Sequence, residues 1–422
     1  MKLLSAVSVD WRWGRNAFLQ VLIMALLLRV AWALAVPVAP VSDSHVYDLL
    51  ARNLAQGLGF CWEAGNPTAQ WPVGTSFIYS IFYRVFGLSY TPIIVFNIIL
   101  SLTTIWLTML LADRWFNRKV AIIAGYLSAC WPVEIQFATI LASELIFNLL
   151  MVTMLAIWAS TKLNPWFKAI LIGFVAGAAV YVRPVALFLP AILGVITIVS
   201  ERKLLRPIAT TAVACILMAS VVAPWSLRNS HVFGRFVLMS SNGGGDLWLG
   251  NNPLGQGRDS DFPAYTMNMR DVDRDVYLGK LATTYIRQYP GRFVLRSFKK
   301  LYWLYDHETI GVHWNLTTLE NLYGTRTVWA LKLVSDLFWW VVLLLGLAGT
   351  LMLMLERGSM VIFKSPLLVV WVYFSAVYSI ILSTDRYHFG CLPSIAILAA
   401  FAVSSIWEKI GSGTPNILRS EA

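Results

Sequence analysis

AFLQVLIMALLLRVAWALAVPV, residues 17–38, runs almost directly into Ser42-Asp43-Ser44-His45-Val46-Tyr47. A helix of about 20 apolar residues spans the hydrocarbon core of a bilayer, and the first stretch is long enough for that. The second is polar and stands where the chain would leave the membrane, with Asp43 at the boundary between lipid and water. Lys2, Arg12 and Arg15 precede the apolar run, and Ala33-Leu34-Ala35 imitates a signal-peptidase site. The run is longer than the apolar part of a signal peptide, and Arg29 interrupts it. It is therefore read as a retained first helix.

The rest of the chain agrees. Of 422 residues, 58% are hydrophobic and 13% charged, and the mean hydropathy is +0.66. Soluble domains carry about 25% charged residues, so this chain has too few to cover a water-facing surface. The class is an all-α polytopic membrane protein. A net charge of +11 points to anionic lipid headgroups and cytoplasmic loops rather than to nucleic acid. Cys61, Cys130, Cys215 and Cys391 have neither disulfide-framework nor zinc spacing.

Spans are expected at 16–38, 91–113, 119–137, 140–161, 166–182, 184–200, 207–224, 328–355, 366–383 and 389–407. Under this count the basic clusters all fall on one side: Arg12 and Arg15; Arg114, Arg118 and Lys119; Lys162 and Lys168; Arg202, Lys203 and Arg206; Arg357 and Lys364; Lys409. That side is cytoplasmic by the positive-inside rule. Gly74–Gly87 is apolar but short and carries Arg84. A full crossing there would put the later basic loops outside, so it is read as an interfacial or half-inserted helix. The organisation is then an N-terminal membrane module, 1–224, with a first outer loop at 39–75. A larger outer loop follows at 225–327, and C-terminal spans at 328–422. Within the larger loop, Val276–Tyr289 and Arg292–Tyr305 read as amphipathic helices. The second suits either the membrane surface or packing against neighbouring loops.

Ionisable groups at membrane depth are costly and mark function by default. Asp43 shares a helical face with Tyr47, Leu50 and Leu54; it is either an N-terminal cap or an ionised carboxylate with a chemical task. Glu144 starts the fourth span in apolar surroundings, with Glu134 as a rival in the same outer loop. Arg183, in Tyr181-Val182-Arg183-Pro184, either snorkels or binds phosphate. Asp385-Arg386-Tyr387-His388 is the polar run between the last two spans, either an internal ion pair or a phosphate clamp. Arg228 opens the larger loop after Pro224-Trp225. His307, Glu308 and His313 could ligate a metal, but their spacing fits no standard motif. Two carboxylates and two arginines thus meet one outer face. Arginines to hold a lipid-linked phosphate and a carboxylate to receive a proton are what transfer chemistry there requires.

Several motifs, in order, resemble bacterial membrane glycosyltransferases of the GT-C superfamily, in the branch related to dolichyl-phosphate-mannose protein mannosyltransferases and ArnT. They are Ser42–Tyr47 with Leu50-Ala51-Arg52-Asn53-Leu54 and Gly57-Leu58-Gly59; Trp71-Pro72-Val73-Gly74 with Tyr83-Arg84-Val85-Phe86-Gly87; and Ser143-Glu144-Leu145. Pro224-Trp225-Ser226-Leu227-Arg228-Asn229, Asn242-Gly243-Gly244, Leu249-Gly250-Asn251-Asn252-Pro253 and Arg386-Tyr387 with Pro393 complete the likeness. The resemblance implies a bundle of about ten transmembrane helices, with outer-face interfacial helices and one larger periplasmic loop, in the inner membrane. It implies a polyprenyl-phosphate sugar as donor, an envelope lipid, polysaccharide or protein as acceptor, and inverting hexosyl or pentosyl transfer. Asp43 and Glu144 would be the acidic catalytic residues and the ligands of any divalent cation. Arg183, Arg386 and Tyr387 would bind the lipid phosphate, with Tyr47 and Arg228 at the substrate. Two other classes compete. A flippase for a lipid-linked saccharide would carry charges in several mid-spans and often internal repeats, whereas Arg29 is the one clear mid-span charge here. A polysaccharide polymerase or ligase would take a lipid-diphosphate donor instead.

Overall fold

The computed structural model describes residues 11–253, 255 and 261–412, so Lys2 lies outside the described residues. The chain is almost wholly helical. In order it forms α1 (Trp11–Ala35), α2 (Ser42–Ala55), a two-stranded hairpin of β1 (Cys61–Glu63) and β2 (Asn66–Pro67), α3 (Val73–Phe86), α4 (Thr91–Trp115), α5 (Arg118–Cys130), α6 (Pro132–Gln136), α7 (Glu144–Ala159), α8 (Pro165–Val182), α9 (Leu189–Glu201) and α10 (Leu205–Phe233). The second half forms α11 (Gly243–Asn251), α12 (Asp271–Gln288), α13 (Pro290–Tyr305), α14 (Ile310–Trp314), α15 (Leu316–Arg357), α16 (Val361–Lys364), α17 (Pro366–Ile380) and α18 (Leu392–Ser412). Among the described residues, seven helical segments are long and apolar enough to cross a membrane, and α5 with α6 makes an eighth across a 54° bend. The apolar helices α7 and α17 are shorter. Every expected span therefore coincides with a helix.

The boundaries differ where proline and glycine mislead. Helix α10 runs through Pro224 to Phe233, nine residues into the expected loop. Helix α15 begins at Leu316 and breaks its geometry at Gly324 (φ 75°), which takes the left-handed region open to glycine. Helix α3 has 14 residues, short of a full span.

Helix α18 is the axis of the bundle. Of its most apolar window, 83% is buried, against 17% for α10 at the periphery. It packs on α15 and α5. Small residues allow this: a Cβ on Gly349 of α15 would stand 2.0 Å from the Leu398 carbonyl oxygen. Close backbone approach replaces the hydrophobic effect as the source of helix association in lipid.

The mid-span charge is fully committed. Arg29 is completely buried and donates to Ser101 Oγ (2.7 Å), to the carbonyls of Ala129 (2.9 Å) and Ser128 (3.2 Å), and to Glu134 (3.3 Å). Those carbonyls belong to the last turn of α5, where the bend interrupts the helical ladder.

Helix α13 shows an inverted arrangement. Lys300 and Leu304 point inward, while Leu295, Phe298 and Tyr302 are 59%, 67% and 67% exposed. It both packs on α17 and presents an apolar face outward, which suits a helix seated at the bilayer surface. A fluorophore on Phe298→Cys in proteoliposomes should be quenched by nitroxide-bearing lipid more than by aqueous iodide. Equal or greater quenching by iodide would remove the membrane contact.

Candidate active site

A cavity of about 500 Å³ opens where the start of α2, Gln70-Trp71, α11, α12, the α13–α15 connection and Leu382–Tyr387 converge. Its organising contact joins the two ends of the chain: Asp43 Oδ2 lies 2.6 Å from Arg386 Nη1. The backbone prepares this at Ser42, whose φ of 51° is left-handed and uncommon for a residue with a side chain. That turn takes the chain from extended Val41 into α2. Val41 holds the N-cap position and makes no side-chain capping bond. Asp43 is therefore not a cap; its carboxylate is turned to Arg386.

Arg386 also lies 5.2 Å from the centre of the Trp314 ring and 5.1 Å from that of Tyr387. Burial opposes its charge, but Asp43, Tyr387 and Glu144 together outweigh burial, so its pKa stands above the ordinary guanidinium value. Tyr387 stacks on Tyr378 with centroids 4.5 Å apart, and Arg183 sits 5.8 Å from the Tyr387 ring.

Glu144 and Arg183 do not line the cavity. They form a buried pair behind it, Arg183 Nη2 to Glu144 Oε1 at 2.5 Å, with Arg183 Nε donating to Ser143 Oγ at 2.9 Å. Tyr47 joins the same buried layer. Burial pushes its phenol up to about 12, Asp43 and Glu144 adding to the shift and a bond to Ser143 working against it. The expected set of two carboxylates and two arginines thus separates into a half-buried pair on the cavity wall, Asp43–Arg386, and a supporting pair, Glu144–Arg183, which reaches the cavity through Tyr387.

Arg228 is placed elsewhere. Its guanidinium donates to the carbonyls of Thr68 (3.1 Å) and Phe60 (3.3 Å) and lies 4.7 Å from the centre of the Trp225 ring. It straps the first outer loop to α10 rather than facing substrate. Glu134 is held by Arg29 and is not a cavity carboxylate. Asp48 was not singled out by sequence, yet it accepts from Arg52 Nε (2.9 Å), Tyr90 Oη (3.0 Å) and Tyr83 Oη, tying α2 to α3 and the start of α4.

The other walls carry Trp71, Trp303, Trp314, Asp246, Arg274 and Asp275. Asp385 does not pair with its neighbour Arg386. It accepts from Thr309 N at 2.9 Å and faces His307 Nε2 at 3.6 Å. Behind this wall Glu308 accepts from Trp131 Nε1 (2.8 Å) and lies 3.0 Å from His388 Nε2. Burial drives the Glu308 carboxyl well above the usual range, despite the Trp131 hydrogen bond. The loop that carries Arg386 is pinned at its root. Lys300 Nζ donates to the carbonyls of Ile380 (2.6 Å) and Ile381 (3.0 Å) and to Asn251 Oδ1 (3.1 Å). A Cβ on Gly250 would stand 1.7 Å from the Ile381 oxygen, so only glycine allows this contact. Burial pushes Lys300 down to about 7, with Arg296 adding to the shift.

The donor set does not fit a divalent cation held by Asp43 and Glu144. Each faces its own arginine, and among the described residues no group of three His, Cys, Asp or Glu side chains is placed to hold one.

The profile of the dolichyl-phosphate-mannose-protein mannosyltransferase family matches residues 70–226. No curated protein matches the chain by sequence. Among solved structures, the apo oligosaccharyltransferase of Archaeoglobus fulgidus is similar at TM-score 0.58 and 13% identity, covering 95% of this chain and 51% of that one. The same enzyme in complex with Zn and sulfate gives 0.55 and 14%, covering 93% and 50%. ArnT of Cupriavidus metallidurans bound to undecaprenyl phosphate gives 0.45 and 17%, covering 94% and 81%. The chain spans about half the length of the archaeal enzyme. The likeness expected from the sequence, to GT-C membrane proteins related to protein mannosyltransferases, is borne out, and the polytopic helical fold with it.

Proposed function

We propose that this cavity belongs to a glycosyltransferase. It moves a hexosyl or pentosyl group from a polyprenyl-phosphate donor to an envelope lipid, polysaccharide or protein by inverting displacement, on the periplasmic side of a bacterial inner membrane. The observation that carries the reading is the Asp43–Arg386 pair on the wall of the cavity. An arginine fork suits a phosphate, and a carboxylate beside it can hold an attacking hydroxyl. The family profile over 70–226 supports a lipid-phosphate sugar as donor, since its name specifies dolichyl-phosphate-mannose. The basic clusters lie at the opposite ends of the spans from Asp43 and Arg386, which favours the periplasmic side.

An apolar groove of about 890 Å³ between α13, α15 and α17 gives the isoprenoid chain a bed. Tyr305 and Asp306 line it, and the adjoining Trp303 and His307 line the cavity. In transfer, the acceptor hydroxyl attacks the anomeric carbon and the bond to the phosphate oxygen breaks. The electron pair leaves on polyprenyl phosphate. Arg386 receives that charge, with Tyr387 held against it by Tyr378 and Arg183. Asp43 orients the hydroxyl.

The test is transfer from defined polyprenyl-phosphate sugars to envelope acceptors by the purified protein in proteoliposomes. Asp43→Asn should lose most transfer while its melting temperature and donor binding stay near those of wild type. Full activity of that variant removes the assigned role. Transfer from lipid-diphosphate donors alone would move the protein to the polymerase or ligase class.

A further inference from the structure

Transfer leaves one proton to be placed. The acceptor hydroxyl must lose it as its oxygen bonds to the sugar. Asp43 is engaged by Arg386, the same guanidinium that the leaving phosphate requires. The cavity wall offers another acceptor. His307 lines the cavity with its side chain 37% exposed. Its Nδ1 donates to Asp306 Oδ1, which leaves the lone pair on Nε2.

Nε2 lies 3.6 Å from Asp385 Oδ2. That gap is too long for a direct hydrogen bond; a water can donate to both atoms across it, or an acceptor hydroxyl can donate to Nε2 alone. Asp385 cannot drift away, because Thr309 N holds it at 2.9 Å. The arrangement has the logic of an activated base. One carboxylate fixes the tautomer, the ring's other nitrogen lies beside the cavity-lining Asp385, and that second carboxylate stands ready to stabilise the imidazolium. The charged and titratable groups around it are Asp306 and Glu308 on its own segment, Asp385 and His388 from the loop before α18, and Arg386 and His313 along the same wall.

We propose that His307 is a catalytic residue, the general base that takes the acceptor's proton, with Asp306 and Asp385 as its positioning residues. The role rests on the transfer reaction proposed above. The acceptor O–H proton passes to Nε2 as the oxygen bonds to the anomeric carbon. The carbon–phosphate-oxygen bond breaks, its electron pair leaving on the phosphate. The imidazolium then gives its proton to water.

The test uses full-length protein in proteoliposomes, with the polyprenyl-phosphate sugar that wild type accepts, and initial rates across pH. Wild-type kcat should rise with pH along a single-ionisation limb as the base loses its proton. His307→Gln should lower kcat by about 10²–10⁴-fold and abolish the rise, with donor KM and melting temperature unchanged. Asp306→Asn should lower kcat by less and retain a displaced limb. An intact limb in His307→Gln, or a loss confined to donor KM, overturns the base assignment and leaves the transferase reading standing. A wild-type protein that transfers no sugar from any polyprenyl-phosphate donor overturns both.

Discussion

Replacing Arg386 with glutamine is expected to lower kcat/KM for sugar transfer by about 10²–10³-fold, the loss typical of removing one preorganised donor from a developing anion. The substitution also removes the cation from Asp43 and the guanidinium contacts with Trp314 and Tyr387. Lysine at this position should restore only part of the activity. An ammonium keeps the charge but lacks the planar fork that can face a carboxylate and a phosphate together. Transfer kinetics in proteoliposomes, with thermal unfolding alongside, read both variants. Wild-type kcat/KM in Arg386→Gln would take the leaving group away from this residue.

The second large effect belongs to the pair behind the cavity. Breaking one partner of a buried ion pair costs about 3–5 kcal/mol, because the other charge remains uncompensated. The two partners differ in burial, with side chains 1% exposed for Glu144 and 12% for Arg183. Arg183→Met should therefore destabilise more than Glu144→Gln, since it strands the more deeply buried charge. Combining Arg183→Met with Glu144→Leu should recover much of the stability, because no charge is left buried. Transfer should stay impaired in the double variant, as Tyr387 loses the guanidinium held against its ring. Unfolding measurements on the three variants decide it. A double variant less stable than Arg183→Met alone would contradict the ion-pair account.

These two pairs also mark how far sequence reaches. Each apolar run picked out by hydropathy coincides with a helix, because each crossing needs its own apolar run. Boundaries slipped where local punctuation was overruled. Pro224 reads as a stop, yet α10 passes through it, since the residues beyond still pack. Asp43, Glu144, Arg183 and Arg386 stood out as charges in apolar surroundings, but which carboxylate meets which arginine depends on tertiary approach. Arg228 showed why a charge by itself is ambiguous: beside Pro-Trp at a loop entry, a guanidinium binds backbone carbonyls as readily as phosphate. His307 was visible as a histidine and was weighed against metal-ligand spacing. Its partner Asp385 lies in a different segment of the wall, so no linear motif joins them. Lys300 followed the amphipathic pattern of α13 but turned inward, because the unwound end of α17 supplied carbonyls that needed a donor.

The bend between α5 and α6 has a similar consequence for Arg29. A helix that stops within the bilayer leaves carbonyls where no water can reach them. Arg29 supplies from a neighbouring helix the donors that solvent would give at an ordinary terminus. Bend and arginine are therefore one unit of inheritance. A straightened α5–α6 would strand a cation in lipid, and a leucine in place of Arg29 would strand the carbonyls and Glu134. Viable change at either site must pass through both.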